Sequence, residues 1–179
     1  MERSLIIRTC DLPADAFLRR YAQDGNYTDC YLIEVPGHIP LGLFIEAFYT
    51  TWLFKAERAL LSLAGYDSTD ADAAHLARRQ SVSFAAWRVE DRGEDQLLMC
   101  DATGRTRSWF KVAMISVETS VTTRLYFGSG ITAVKRGNDG HASIGPVFDA
   151  LTGFHKLYSR GLLAATTHKI VRAARKAPA

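Results

Sequence analysis

From Phe84 to Val134 the apolar residues of this chain keep a period of two, in four runs: Phe84 to Asp91, Gln96 to Asp101, Arg105 to Val117 and Thr122 to Val134. The connections are Arg92-Gly93-Glu94-Asp95, Ala102-Thr103-Gly104 and Glu118-Thr119-Ser120. Links this short leave room only for hairpins, so the runs predict four antiparallel neighbours. A Gly/Asn/Asp loop, 135 to 145, follows, and then the period changes to that of a helix over Pro146 to Lys176, with Phe148, Leu151, His155, Tyr158, Leu162 and Ala165 in one stripe. A meander with one apolar face and a single long helix with a matching stripe solve each other's burial problem when the sheet curls around the helix. The fold expected is therefore α+β of the helix-grip kind: a curved antiparallel sheet wrapped around a long C-terminal helix.

The N-terminal part supplies the remaining elements. Asp11, Pro13 and the apolar Leu12, Phe17, Leu18 and Tyr21 predict a short helix over 12 to 23. Alternation from Tyr27 to Val35, stopped by Pro36-Gly37, predicts a strand. Pro40 to Ala64 carries apolar residues three and four apart, with Tyr49-Thr50-Thr51 as a break between two helices. Ser68 or Thr69 can cap a third, surface helix through Ala73, Leu76 and Ala77. With no repeat or linker, residues 1 to 179 read as a single domain.

At 179 residues and 47% apolar content, the chain can bury a core and a cavity within it, and the composition excludes disordered, collagenous and coiled-coil classes. Net charge is +3, but the excess belongs to the end: residues 150 to 179 hold Lys156, Arg160, Lys169, Arg172, Arg175 and Lys176 and no acid, as suits a helix C-terminus. Three cysteines far apart, Cys10, Cys30 and Cys100, suggest neither a disulfide framework nor a CxxC site and fit a reducing cytoplasm. The N-terminal apolar run is too short for a signal peptide. The longest apolar stretch, Leu41 to Leu63, is interrupted by Glu46, Lys55, Glu57 and Arg58, so no membrane insertion is expected. The histidines show no HxH or HxxxH pairing, and Gly128-Ser129-Gly130 lacks the strand-to-helix context of a dinucleotide loop, so neither a metal nor a cofactor is expected. The two glycines read as marks of a bulge or bend that curls the sheet.

Four segments carry a resemblance: Tyr27-Thr28-Asp29-Cys30-Tyr31, Thr51-Trp52-Leu53-Phe54-Lys55-Ala56-Glu57-Arg58, Thr106-Arg107-Ser108-Trp109 and Gly153-Phe154-His155-Lys156-Leu157-Tyr158. Over residues 25 to 165 the chain resembles a bacterial family of unknown function akin to the polyketide-cyclase and START-like (Bet v 1-like, SRPBCC) superfamily. The resemblance implies a hydrophobic-ligand cavity, for a lipid or polyketide-like molecule, between sheet and C-terminal helix. It carries over no catalytic motif.

From the residues themselves, Phe48, Trp52, Trp87, Trp109, Tyr126, Phe154 and Tyr158 are the aromatics available to line such a pocket, with Arg107 as an anion anchor, although large rings fill ordinary cores as well. An enzymatic alternative, of the cyclase, dehydratase or hydrolase type, uses His155 on the helix stripe as acid or base together with Asp29 or Asp101. Arg105, Arg107, Trp109 and Lys111 share one face of their strand, which reads as a solvated sheet surface or as a basic interaction face; nucleic acid is the less favoured partner. If that face is buried, Asp101 and Asp29 are the candidate partners of Arg107. Nothing in the composition opposes a homo-oligomer.

Overall fold

A computed structural model describes residues 5–117, 120–132 and 146–176, with side chains omitted for 116, 117, 120, 146–156 and 176. The elements are β1 (Arg8–Thr9), α1 (Arg19–Gln23), β2 (Tyr27–Pro36), α2 (Leu41–Tyr49), α3 (Trp52–Leu63), α4 (Asp70–Ala77), β3 (Ser83–Phe84), β4 (Trp87–Arg92), β5 (Gln96–Asp101), β6 (Thr106–Val117), β7 (Ser120–Ile131) and α5 (Pro146–Lys176). Among the described residues the strands form one curved antiparallel sheet in the order β1-β2-β7-β6-β5-β4-β3. The hairpins place β4 to β7 side by side, and β2 closes onto β7 with Tyr27 opposite Ile131 and Pro36 opposite Thr122.

Residues directly opposite one another share a face, so the register sorts the sheet into two sides. On the helix face, Tyr31, Ile33 and Val35 of β2, Leu125 and Phe127 of β7, Phe110 of β6 and Leu97 and Met99 of β5 meet Phe44, Ile45 and Phe48 of α2. The rings interlock edge to face: Phe48 lies 4.8 Å from Phe110 at 85° and Phe44 lies 5.6 Å from it at 77°. It is α2 that seats these rings on the sheet, while α5 packs against α2, α3 and β2.

The second face does not meet solvent. Residues 10–24 lie across it, burying Ala16 and Leu18 against Cys30, Leu98, Trp109 and Tyr126. The expected helix over 12–23 shortens to Arg19–Gln23 for a physical reason. Gln96 takes backbone groups that a helix would use: the Phe17 amide donates to Gln96 Oε1 at 3.0 Å and Gln96 Nε2 donates to the Asp15 carbonyl at 3.0 Å. The two strand glycines serve this cover rather than a bulge. A Cβ on Gly128 would stand 3.0 Å from a Leu18 methyl and 2.8 Å from the Asp29 carbonyl oxygen, and one on Gly130 would stand 2.9 Å from Leu18. Side chains there would expel Leu18 from the sheet.

Elsewhere local chemistry sets the boundaries. Thr51 caps α3 through its side chain, accepting from the Phe54 amide at 3.1 Å, and so converts the Tyr49-Thr50-Thr51 break into a new helix start. Thr69 and Asp72 form a capping box for α4, which is not a surface helix on both sides: Ala73 and Leu76 are fully buried. No helix among the described residues is long and apolar enough to cross a membrane.

Candidate functional site

Because β1 is only two residues long, the outer edge of β2 soon loses its neighbour. Continuing the pairing of Arg8 with Leu32 and Thr9 with Tyr31 sets Cys10 opposite Cys30, where the Cys10 amide donates to the Cys30 carbonyl at 3.0 Å. Main-chain groups of alternate residues point to the same edge of a strand, so the N–H and C=O of Thr28 face outward with those of Cys30. Along this edge runs a cleft of about 950 Å³, within the range of small-molecule sites. Thr9 to Leu12 and the α1 residues Arg19, Ala22 and Gln23 form one wall; Leu157 and Arg160 of α5 form the other.

Tyr27, Asp29 and Tyr31, two apart on β2, form a row on its floor. Asp29 is fixed from β7: its Oδ1 accepts from the Ser129 amide at 3.0 Å and also from the Ser129 hydroxyl. Its Oδ2 accepts from Tyr27 at 3.3 Å and from Tyr31 at 3.4 Å. Burial first, and then the Asp29 charge, push the Tyr31 phenol up to about 12 and the Tyr27 phenol higher still, with the Arg160 guanidinium opposing the rise at Tyr31. Both phenols therefore stay protonated and can donate at neutral pH. The arrangement offers a fixed carboxylate, two donors, two cations at the walls and apolar Leu12 and Leu157 beside them.

Of the residues singled out in the sequence, Asp29 lies in this cleft. Phe48 is core, with its ring 4.7 Å from that of Phe127. Trp109 and Tyr126 pack together, 6.2 Å apart, beneath residues 10–24, and the Trp109 indole donates to Gln96 Oε1 at 2.9 Å. Trp87 is half-buried beside Phe54. Trp52, 75% exposed, borders a second groove of about 760 Å³ between the start of α3 and the His168 to Arg172 stretch of α5. The Tyr158 hydroxyl donates to Glu57, joining α5 to α3; burial raises the Glu57 carboxyl above its ordinary value, and the Tyr158 bond offsets part of the rise. The side chains of Phe154 and His155 lie outside the described residues.

Of the basic face, Arg107, Trp109 and Lys111 are covered by the protein itself, while Arg105 lies just before β6 and is exposed. Arg107 pairs with Glu90 at 3.1 Å, rather than with Asp101 or Asp29, and its guanidinium lies 4.5 Å from the centre of the Tyr21 ring. Lys111, 5% exposed, reaches Asp15 at 2.8 Å and also Asp95. Asp101 closes the turn between β5 and β6, accepting from Thr103 at 2.6 Å and from the amides of Arg105 and Thr106 at 2.8 and 3.0 Å. Burial opposes these bonds but they outweigh it, and its pKa is lowered. Asp29 stands on the helix face and Arg107 on the other. Asp101 is three strands from β2, roughly 14 Å at the usual strand spacing. These three groups do not converge on one reacting centre.

Tyr27, Tyr31, Arg19, Arg160 and the Cys10–Cys30 pair were not singled out as site residues. The Tyr-x-Asp-x-Tyr alternation was a signal for the first two, since it places three polar groups on one strand face. Arg160 and the cysteines join the cleft only through pairings distant in sequence. Among the described residues no group of three or more His, Cys, Asp or Glu is placed to hold a metal ion. Comparison with protein-family models, curated proteins and solved structures finds no match to this chain.

Proposed function

We propose that this chain binds a small amphipathic molecule in the cleft between the free edge of β2 and α5, with its acidic head between Arg160 and the two phenols of the Tyr27, Asp29 and Tyr31 row and its apolar body against Leu12 and Leu157. The observation that carries this reading is that row, held rigid by Ser129, on the floor of a cleft of about 950 Å³ with Arg19 and Arg160 at its walls. Arg160 suits an acidic head, and the protonated phenols suit its oxygens. The ligand class, lipid or polyketide-like, is the one implied by the resemblance to the START-like superfamily; the site moves from beneath the long helix to the strand edge beside it, because α2 and its rings occupy the centre of the helix face.

The test is a thermal-shift series with a medium-chain fatty acid and an aromatic carboxylate of naphthoate size. At a hundredfold excess over its dissociation constant a ligand adds about 2.7 kcal/mol, which for a domain of this size raises the melting temperature by roughly 5–10 °C. Arg160→Ala and Tyr27→Phe, which remove a cation and a donor from the cleft, are each expected to remove most of that shift, and Trp52→Ala, in the second groove, to leave it intact. The reading is overturned if neither probe shifts the wild type, or if Trp52→Ala alone abolishes the shift.

A further inference from the structure

We propose that Cys10 and Cys30 are a reversible thiol-oxidation site, which a hydroperoxide closes into a cross-strand disulfide that locks residues 10–24 onto β2. The sulfurs are 3.2 Å apart, and both thiols are free. Residues opposite each other in an antiparallel pair have Cα atoms about 4.5–5.5 Å apart, inside the roughly 4.4–6.8 Å that disulfides span. Sulfurs in contact therefore need to move by only about 1 Å to reach bonding distance. The strand that must yield, β1, is a two-residue edge element with a single neighbour, whereas Cys30 sits on a strand paired along its whole length to β7.

The two thiols have different roles. Cys10 is half-buried and lines the cleft, so an oxidant can reach it; Cys30 is 2% exposed directly behind it. The hydrogen bond between the two thiols, helped by the charges of Arg124 and Arg8 against burial and Asp11, lowers the Cys10 thiol, and the same contact together with burial raises Cys30. That difference makes Cys10 the attacking thiolate. Its sulfur attacks the distal oxygen of the hydroperoxide and the O–O bond breaks. The alkoxide takes up a proton and leaves as the alcohol, with Cys10 as the sulfenic acid. Cys30 sulfur then attacks Cys10 sulfur; the S–O bond breaks, and hydroxide leaves with the Cys30 proton as water. Two thiols give up two electrons, and one hydroperoxide becomes one alcohol and one water.

This site does not depend on any ligand. Its test uses the full chain, reduced and freed of reductant, then treated with one equivalent of hydrogen peroxide. Expected are an intact mass lower by two hydrogens, a cross-linked peptide joining Cys10 to Cys30, and Cys100, fully buried on the sheet, as the one cysteine still alkylated after unfolding. Thiol reductant restores all three. Cys30→Ser is expected to leave a dimedone-trapped sulfenic acid on Cys10, and Cys10→Ser to give neither product. Hydrogen exchange at the Cys10 amide, which bonds the Cys30 carbonyl, is expected to slow at least tenfold on oxidation. Three alkylatable cysteines after peroxide, or a bridge that includes Cys100 or a second chain, overturns the site. An unchanged exchange rate in the bridged protein overturns the lock.

Discussion

The two faces of one sheet are covered in opposite ways. On the helix face, Phe44, Phe48, Phe110 and Phe127 pack ring against ring beneath α2, and the hydrogen-bonded Tyr27, Asp29 and Tyr31 row lies on β2 at the side of that cluster. On the other face Trp109 is equally buried, yet it sits among Gln96, Lys111 and Arg107, all of them engaged. The difference follows from what does the covering. Helices satisfy their own main chain, so α2 brings rings and aliphatic side chains to the sheet, Tyr49 with its buried hydroxyl among them. Residues 10–18 are largely irregular, and their amides and carbonyls need partners. The sheet supplies them from side chains: Gln96 serves Phe17 and Asp15, and Lys111 serves the Asp15 carboxylate. A run of basic and amide residues on a strand face, which resembles a surface, is here the anchor of a nonhelical cover.

The comparison breaks most visibly at Phe110, which touches the three α2 rings, Phe44, Phe48 and Tyr49, and Phe127. Phe110→Ala is expected to cost about 3–5 kcal/mol by denaturant unfolding, with cavity formation adding to the lost burial. It should weaken the whole domain, because α2 and three strands share that ring. On the other face, Gln96→Leu keeps size and removes both ends of the amide. It leaves the Trp109 indole, the Phe17 amide and the Asp15 carbonyl unpaired at a cost of about 2–3 kcal/mol. Hydrogen exchange should separate the two variants: Gln96→Leu should expose amides in residues 12–24 well before those of β6 and β7. If both lose protection together, the two faces unfold as one unit and the contrast between them fails.

That contrast also explains which parts of the fold were readable. The order and antiparallel pairing of the meander, the helix break at Tyr49-Thr50-Thr51, the Thr69 cap and the bounds of α5 rest on local patterns of period or capping and match them, although the last strand is Ser120–Ile131 where the alternation predicts Thr122 to Val134. What escaped depends on nonlocal partners. The first run splits into β3 and β4 because Ala85 turns the chain at φ 49°, with no glycine or asparagine to announce it. The buried side of α5 includes Ser159, Thr166 and Thr167, which apolar periodicity passes over; Thr166 and Thr167 return their hydroxyls to the carbonyls of Leu162 and Leu163 at 2.7 and 2.8 Å. For the cleft, Asp29 was legible as an acid between aromatics. Its opposite wall was not, since Arg160 reaches it from 131 positions away.

The smallest expected effect is a difference in how the two sides answer acid. Glu57, on the helix side, has a carboxyl raised above the unfolded value of 4.5 by burial, so its protonated form is the one folding favours. Its contribution is complete below 4.5 and is lost as pH rises through the folded value. Asp15, in the cover, is lowered below 3.8, chiefly by its hydrogen bond from Lys111; its contribution is present above 3.8 and is lost as pH falls through the folded value. Acidification from neutrality should therefore first strengthen the α3–α5 contact and only below about pH 4 loosen residues 10–24. Urea midpoints measured from about pH 3 to 8 should show a shallow maximum in the acid range. Glu57→Gln should flatten the limb above the maximum, because a neutral amide has no proton to lose, and Asp15→Asn should make the limb below it shallower, the rest belonging to Asp70, Asp72 and Asp101, whose carboxyls are also lowered. A Glu57→Gln curve parallel to the wild type between pH 5 and 7 would show that this carboxylate is not strained by burial, and that polarity on the helix side is as well matched as it is beneath the N-terminal cover.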